Sequence, residues 1–254
     1  MVTVEETRNQ VSISEADELS WGGYDLPLSI TSPEVSLLVE KISGGYRYHR
    51  KGAGAEIEKI VLSNYGKLYL NPTEPLNTPK EITPYLLLEF SQPIIVDPKT
   101  STDVYATVPL ETACVFYVNE TDFTIIDIFT LTQPKFTLYG SVSRGLVCKY
   151  WNTGVYFSVP PVDPRMIGIM ELNIRNNSSR WVEISKAVFS AYGMKIYYKS
   201  NLVSLKASMR IINEETAETN FFDQPLEEGM QSSIELFSQN RLSFGSKMVM
   251  KEGY

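Results

Sequence analysis

Apolar and polar residues alternate over short stretches along most of the chain. In the segment SPEVSLLVEKIS, Val35, Leu37 and Val39 fall on one side of an extended strand, whereas Leu38 and Glu40 fall on the other. A period of two is typical of a β-strand with one buried face. A Gly-Gly turn and a Gly-rich loop follow, so this part of the sequence predicts an antiparallel meander.

The densest aromatic stretch lies in the middle of the chain, between Phe116 and Phe157. Aromatic and β-branched residues favour strands, and Pro134, Gly140 and Gly145 divide the stretch into pieces of strand length. We therefore predict a series of short strands. Because sequence of similar pattern lies on both sides, the stretch is interpreted as the joint between two β units.

Prolines are concentrated in the first part of the chain. Seven of them lie between Pro72 and Pro109, around two apolar segments, 85–90 and 94–96. Proline cannot donate to a sheet ladder, so these residues predict loops and edges around two buried strands. A polyproline ligand is the alternative, but the spacing is irregular and the intervening residues are apolar.

Two segments have helical spacing. In residues 181–191 the Trp, Val, Ile and Phe side chains favour a strand over a helix. The single helix candidate follows Asp223 and Pro225, with apolar residues at helical intervals and Gly229 as an interruption. These apolar residues are Leu226, Met230, Ile234 and Phe237.

The pattern predicts a mostly-β protein of two β-sandwich-like units of antiparallel strands, with few or no long helices. We divide the chain into a mobile N-terminal arm at 1–23, an N-terminal β domain at 24–130 and a C-terminal β domain at 131–254. Trp21 is a candidate anchor for the arm. The PPVDP run at 160–164 is interpreted as a surface loop rather than as the boundary.

Composition supports a soluble globular protein. The chain has 254 residues, of which 43% are hydrophobic and 21% charged. The net charge of -7 disfavours broad binding to nucleic acid or to anionic membranes. The N-terminus does not resemble a signal peptide, and no apolar run approaches the ~20 residues that span a bilayer. We therefore expect a cytoplasmic protein, in which Cys114 and Cys148 are buried free thiols.

Few catalytic mechanisms are open to this composition. His49 is the only histidine, and no GxSxG or phosphate-binding motif is present. Three Cys and His residues cannot complete a tetrahedral zinc shell, so we expect no metal and no cofactor. Carboxylates flanked by apolar residues are nominal acid or base candidates, although alternation places them equally well on a solvated face. They are Glu171, Glu183 and Glu235.

One short segment combines rings and positive charge. On a strand at 46–51, alternate residues share a face. One face would carry Tyr46, Tyr48 and Arg50, and the other Arg47, His49 and Lys51. Stacking rings beside basic groups suit single-stranded nucleic acid or an acidic partner. The alternative is a hairpin strand whose tyrosines pack and whose charges deter edge pairing, and the chain's negative charge favours it.

A second candidate interaction surface lies in residues 166–212, which contain no proline. Trp181, Tyr197 and Tyr198 are available there for contact with a partner. We expect self-association, or docking of a protein partner, through a sheet edge or an apolar face, with an interface of at least about 1,000 Å².

Several longer phrases resemble a known family. They are NPTEPLNTPKEITPYLLLEF, FTLTQPKFTLYGSVSRGLVCKYW, WVEISKAVFSAYGMKIYY and KMVMKEGY. Together they are similar to an archaeal family known as domain of unknown function 432, over roughly 24–254. The resemblance implies an archaeal cytoplasmic protein with no assigned activity and no functional residues to transfer. Proximity of some members to mechanosensitive-channel genes suggests peripheral association with a membrane protein.

The sequence therefore favours a non-catalytic binding or assembly protein, with a protein partner or a second copy as its target. The rival hypothesis is a carboxylate-dependent, carbohydrate-active hydrolase with its site between the two β units. A deep polar cleft with two close carboxylates would favour the enzyme, and a flat apolar patch or an open sheet edge would favour the binding protein.

Overall fold

The computed structural model describes residues 14–16, 18–79, 82–119, 122–236 and 246–249. Almost all regular structure in them is β, apart from one 3₁₀ turn at Ala191–Gly193. The predicted mostly-β class is confirmed. The strands of the first half of the chain are β1 (Ser14–Ala16), β2 (Gly22–Asp25), β3 (Leu28–Thr31), β4 (Val35–Ile42), β5 (Gly45–Gly52), β6 (Ala55–Val61), β7 (Lys67–Thr73), β8 (Tyr85–Val96), β9 (Ser101–Pro109), β10 (Glu111–Tyr117) and β11 (Phe123–Phe129).

The aromatic middle of the chain forms short strands, as predicted, and the second half continues in the same way. Its strands are β12 (Phe136–Tyr139), β13 (Leu146–Thr153), β14 (Ile167–Asn176), β15 (Val182–Ser190), β16 (Tyr197–Lys199), β17 (Leu202–Asn213), β18 (Thr216–Phe222), β19 (Gln231–Ser232) and β20 (Ser246–Val249). The 181–191 segment is thus a strand followed by the 3₁₀ turn, in agreement with its β-branched and aromatic composition.

Two sheets form the first unit. Sheet I has the order β1-β3-β4-β5-β6, and sheet II has the order β11-β10-β7-β2. The sheets pack face to face, with Tyr46 of sheet I 5.7 Å from Phe116 of sheet II between ring centroids. Leu37, Leu68 and Leu70 are fully buried between them. Alternation along each strand therefore supplies one core face per sheet.

Two further sheets form the second unit. Sheet III has the order β12-β13-β8-β15, and sheet IV contains β9, β14 and β16–β20. Most pairs are antiparallel, but β13 pairs with β8 in parallel and β14 pairs with β17 in parallel. The indole nitrogen of Trp151 on sheet III donates to the hydroxyl of Thr107 on sheet IV at 3.1 Å. Phe189 and Phe221 meet across the same core at 5.4 Å.

Strand pairing crosses the boundary that we placed after residue 130. The strands β8 and β9 precede that boundary, yet β8 pairs with β13 and β15, and β9 pairs with β14. The chain therefore leaves the first unit after β7, contributes one strand to each sheet of the second unit, and returns through β10 and β11. The chain changes units between β7 and β8, and again between β9 and β10 directly after Pro109.

The first residues that the structure describes are packed on sheet I. The strand β1 pairs in parallel with β3, and the Trp21 side chain is buried. The indole nitrogen of Trp21 donates to the carbonyl oxygen of Pro164 at 3.1 Å. Trp21 is thus an anchor, as we expected, and it contacts the PPVDP loop. Residues 1–13 and 17 lie outside the described part of the arm.

The helix predicted after Asp223 is wrong over residues 223–236. Gly229 adopts a φ of 79°, which breaks a helical path, and β19 follows at once. The amide of Ser233 donates to the carbonyl of Ile196, and its hydroxyl donates to the carbonyl of Pro72. The backbone and side chain of Ser233 thus form hydrogen bonds with other segments of the chain and not the hydrogen bonds within one segment that a helix needs. Phe237 lies outside the described residues.

A buried ion pair joins the two units. Lys149 on β13 donates to the Glu111 carboxylate at the start of β10 at 2.8 Å. The same carboxylate accepts the amides of Asn77 and Thr78 at 2.8 and 3.0 Å. Lys149 also donates to the carbonyl of Thr78. Because both buried charges have hydrogen-bond partners, this cluster holds the 74–79 loop and helps to fix the placement of sheet II relative to sheet III.

Candidate binding surface

The aromatic side of the basic strand faces the core. Tyr46, Tyr48 and Arg50 on β5 are 6%, 0% and 3% exposed. These residues share one face, as alternation predicts, but this face packs on sheet II. The rings are therefore not accessible to nucleic acid bases, and the hypothesis of a stacking surface does not apply to them.

Arg50 and Tyr48 belong to a buried polar network. The Nε of Arg50 donates to the Asp127 carboxylate on β11 at 2.5 Å, and the Tyr48 hydroxyl donates to the same oxygen at 2.8 Å. Another guanidinium nitrogen of Arg50 donates to the carbonyls of Gly52 and Ala55, and the guanidinium lies over the Phe129 ring. Burial, followed by the nearby Cys114 and Asp127, raises the pKa of Tyr48, so the hydroxyl stays a donor. These hydrogen bonds offset the lost hydration of the buried charges on Arg50 and Asp127.

The other face of β5 carries paired surface charge. Arg47 lies 3.8 Å from Glu40 and 3.5 Å from Glu58, on the two neighbouring strands. The Nε2 of His49 is 2.8 Å from Glu56. Because β5 lies between β4 and β6, these groups form cross-strand pairs, whereas Lys51 is exposed. The local positive charge is therefore largely compensated.

The three aromatic candidates of the second unit have different environments. Trp181 is 63% exposed. Tyr197 is half-buried, and its hydroxyl donates to Asp223 at 2.5 Å, which raises the pKa of Tyr197 to about 12. Tyr198 is buried, and its hydroxyl donates to the side-chain oxygen of Asn71. Trp181 is thus available at the surface, while Tyr198 belongs to the contact between the units.

A row of rings that we did not single out from the sequence lies on the outer face of sheet II. Tyr69 on β7, Tyr117 on β10 and Phe123 on β11 are consecutive neighbours across the sheet, and we call them the aromatic row. Ring centroids are 4.8 Å apart between Tyr69 and Tyr117, and 5.1 Å apart between Tyr117 and Phe123. Burial, followed by the neighbouring Tyr69, raises the pKa of Tyr117.

Strand register places the row on one face. Tyr117 pairs with Phe123 on one side and with Lys67 on the other, and Val115 pairs with Tyr69. The alternate residues Leu68, Leu70 and Phe116 fill the core, so the row must point away from it. Gly23 on β2 allows the Tyr69 ring to lie over the backbone, because a Cβ there would be 2.6 Å from the ring.

Two cavities flank Tyr69. One, of about 630 Å³, is lined by Tyr65, Gly66, Lys67, Tyr69, Tyr117, Val118 and Asn119, and we call it the aromatic pocket. The other, of about 470 Å³, lies between the units, and we call it the inter-unit cleft. Its first wall includes Trp21, Asp25, Lys67 and Tyr69, and its second wall includes Tyr198, Lys199, Ser200 and Gln231. Tyr69 and Lys67 line both, so the two cavities adjoin along sheet II.

The charged groups of the cleft are paired. Lys67 lies 2.9 Å from Asp25, and Lys199 contacts Glu227. Asp25 is the only carboxylate among the described residues that line the cleft. The surface therefore combines aromatic rings, hydrogen-bonding groups and little net charge, which is the composition of many interface centres.

The carboxylates that we named from the sequence do not meet in this cleft. Glu171 on sheet IV lies 3.4 Å from Lys206, and Glu235 contacts Lys195. Glu183 is an exposed residue of β15. Within the described ranges, no group of three or more His, Cys, Asp or Glu side chains is arranged to hold a metal ion.

Both cysteines are buried free thiols, as we expected. Burial raises the pKa of each thiol to about 12. The Cys114 sulfur lies 3.4 Å from the Tyr48 hydroxyl oxygen, directly beneath the buried side of β5. Such neutral, enclosed thiols are chemically inert in the native state.

A comparison with known protein families gives a match. A family model described as "Protein of unknown function (DUF432)" matches residues 20–252. The chain belongs to this family. No curated protein and no solved structure matches the chain.

The DUF432 match covers both units and the aromatic row. No helix in the described part of this DUF432 chain is long and apolar enough to cross a membrane. The sequence contained one signal for the row, since Tyr117 and Phe123 lie at the start of the aromatic stretch at 116–157. It could not show which of the alternating residues face outward, because both faces of these strands are apolar.

Proposed function

We propose that the protein acts by binding a protein partner through the outer face of sheet II. The contact surface consists of the aromatic row, the aromatic pocket and the adjoining inter-unit cleft. The partner covers the row and reaches the polar groups of the cleft with its periphery.

The observation that carries this proposal is a contiguous row of three rings on one outer sheet face, in which Phe123 is exposed and Tyr69 and Tyr117 are half-buried. Phe123 is 45% exposed and Tyr65, beside the row, is 64% exposed. Aromatic side chains contribute large contact area with few rotatable bonds, and they dominate the binding energy of many interfaces. Contiguous apolar surface of this kind is tolerated on a soluble protein mainly where it has a partner.

Parts of the outer faces of sheets III and IV are covered or polar. On sheet III, Leu87, Cys148 and Val188 are packed under Tyr139 and its neighbours. On sheet IV, Glu171 pairs with Lys206, and Arg210 pairs with Glu218. The contrast supports the outer face of sheet II as the contact surface.

The hydrolase alternative has less support. Glycosidases use two carboxyl groups on either side of the scissile bond. Asp25 is the single carboxylate among the described lining residues of the inter-unit cleft, and it is paired with Lys67. The described lining of the cleft therefore supports binding over hydrolysis.

The experiment is affinity purification of the tagged full chain from its native host, with mass spectrometry of retained proteins. The test variant carries Tyr117→Ser and Phe123→Ser, and the matched control carries Trp181→Ser, which removes an exposed ring elsewhere. We expect the wild type and the control to retain the same partner and the double variant to lose it. Undiminished retention by the double variant would refute the proposal.

A further inference from the structure

The strand β11 forms an open edge of sheet II. It is the terminal strand of that sheet, and Phe123, Thr124 and Ile125 are all exposed. None of them is charged or a proline. Phe123 and Ile125 point to the same outer face as the aromatic row, because they pair with Tyr117 and Val115. The edge thus has apolar residues at alternate positions and lacks the usual protection against pairing.

Hydrogen-bond alternation shows which backbone groups are free. The amide of Val118 donates to the carbonyl of Asp122 at 2.9 Å, so these two residues form a hydrogen-bonded pair of the hairpin. In an antiparallel ladder such pairs alternate with non-bonded pairs. Thr124 therefore directs its backbone groups to β10, whereas Phe123 and Ile125 direct theirs to the free edge.

The exposed edge of sheet I is protected. The edge strand β6 carries Glu56, Glu58 and Lys59. Charges and prolines at such positions oppose the addition of another strand. In contrast to β6, the exposed residues of the 123–125 edge carry no charge.

We infer that this edge pairs with the same edge of a second copy of the chain, antiparallel and centred on Thr124. In that arrangement Phe123 of one protomer lies opposite Ile125 of its partner, and both pairs of free backbone groups are satisfied. Aromatic and β-branched residues placed directly opposite each other stabilise antiparallel pairs. The edge is thus complementary to itself, as a two-fold interface requires.

Charge at the ends of the edge fits the same arrangement. Lys59 donates to the carbonyl of Ile126, immediately after the exposed residues. Asp122 is exposed immediately before them. Antiparallel pairing about Thr124 brings residue 126 of one protomer opposite residue 122 of its partner. Each Lys59 ammonium therefore lies beside the partner's carboxylate, at both ends of the contact.

The dimer extends the candidate surface without covering it. Edge pairing joins two four-stranded sheets into one continuous sheet, with both aromatic rows on the same side. The assembly then presents two contact surfaces to a partner, which favours partners that are themselves repeated or dimeric. This inference rests on the β11 edge and does not depend on the proposed function.

Sedimentation equilibrium of the full chain between ~1 and ~200 µM tests the inference, and we expect dimerisation in the micromolar range. The variant Ile125→Pro removes an amide that faces the free edge and leaves the β10 ladder intact. A symmetric contact loses this donor twice, so we expect dimerisation at least ~10-fold weaker. A monomer at every concentration, or a dimer that Ile125→Pro leaves unchanged, would overturn the inference.

A charge exchange provides a second test that does not alter the strand. Asp122→Lys places two ammonium groups together at each end of the contact and should weaken dimerisation by ~3- to 10-fold. Adding Lys59→Glu to this variant restores opposite charges across the contact and should recover most of the lost dimer affinity. A single variant without effect, or a double variant weaker than the single one, would contradict the proposed register.

Discussion

Two aromatic regions of the first unit have opposite environments. The strand β5 carries Tyr46 and Tyr48 with four basic or histidine residues, and its rings are buried. The aromatic row also lies at alternate strand positions, yet its rings face outward. The difference arises from the sheets: β5 packs its rings against sheet II, whereas the row lies on the side of sheet II that points away from this core.

The two regions also differ in the position of their charged side chains and in the partners of these side chains. Arg50 is held by Asp127 in the core, and Arg47 and His49 have carboxylate neighbours on adjacent strands. Beside the row, Lys67 and Asp25 form an ion pair at its margin, and the Phe123 ring is 45% exposed. The basic, aromatic strand β5 thus has a structural role. The aromatic row, which the sequence did not single out, forms the candidate binding surface.

The largest expected effect concerns the core side of β5. Asp127→Ala would leave Arg50 as a buried charge without its carboxylate, which costs about 3–5 kcal/mol of unfolding free energy. Phe123→Ser in the row should change the unfolding free energy by about 1 kcal/mol or less. Urea denaturation of both variants measures the difference. Equal destabilisation would mean that the row is as much part of the core as β5.

Thiol reactivity provides the next test of the buried side. Cys114 lies beneath Tyr48, and burial raises its thiol pKa to about 12, so the reactive thiolate is scarce at pH 8. We expect native labelling of Cys114 at least ~100-fold slower than in denaturant. A Cys148→Ser variant isolates this signal. Rapid native labelling would show that the space under β5 is open.

The smallest expected effect is in nucleic acid binding. The β5 rings are inaccessible and Arg47 has two carboxylate neighbours, so we expect no measurable binding of a single-stranded oligonucleotide at ~0.15 M salt. Fluorescence anisotropy should give the same result for wild type and for the Arg47→Ser, Lys51→Ser variant. Sub-micromolar, salt-sensitive binding that this variant abolishes would reverse the assignment of the two regions.

Local pattern was sufficient for much of the fold. Alternation at 35–42 predicted β4, and the β-branched residues at 182–190 outweighed a helical stripe to give β15. The helix after Asp223 was wrong because helical spacing in a short segment was outweighed by bonds of Ser233 to neighbouring strands. Such contacts join residues far apart in sequence and leave no local pattern.

The same reason limits prediction of the site. Alternation showed that Tyr46, Tyr48 and Arg50 share a face, but it could not show that this face is inward. The aromatic row combines residues from β7, β10 and β11, and only strand pairing brings them together. The exchange of β8 and β9 into the second unit is likewise a long-range pairing that composition could not reveal.

Site-specific photo-crosslinking compares the two regions most directly. A photoreactive phenylalanine analogue is placed at Tyr117 in the aromatic row or at Arg47 on the exposed side of β5, and each full-length protein is irradiated in cells of the native host. We predict covalent adducts with a distinct partner protein from position 117 and none from position 47. Adducts from position 47 together with an unmodified position 117 would contradict the assignment of the outer face of sheet II as the binding surface.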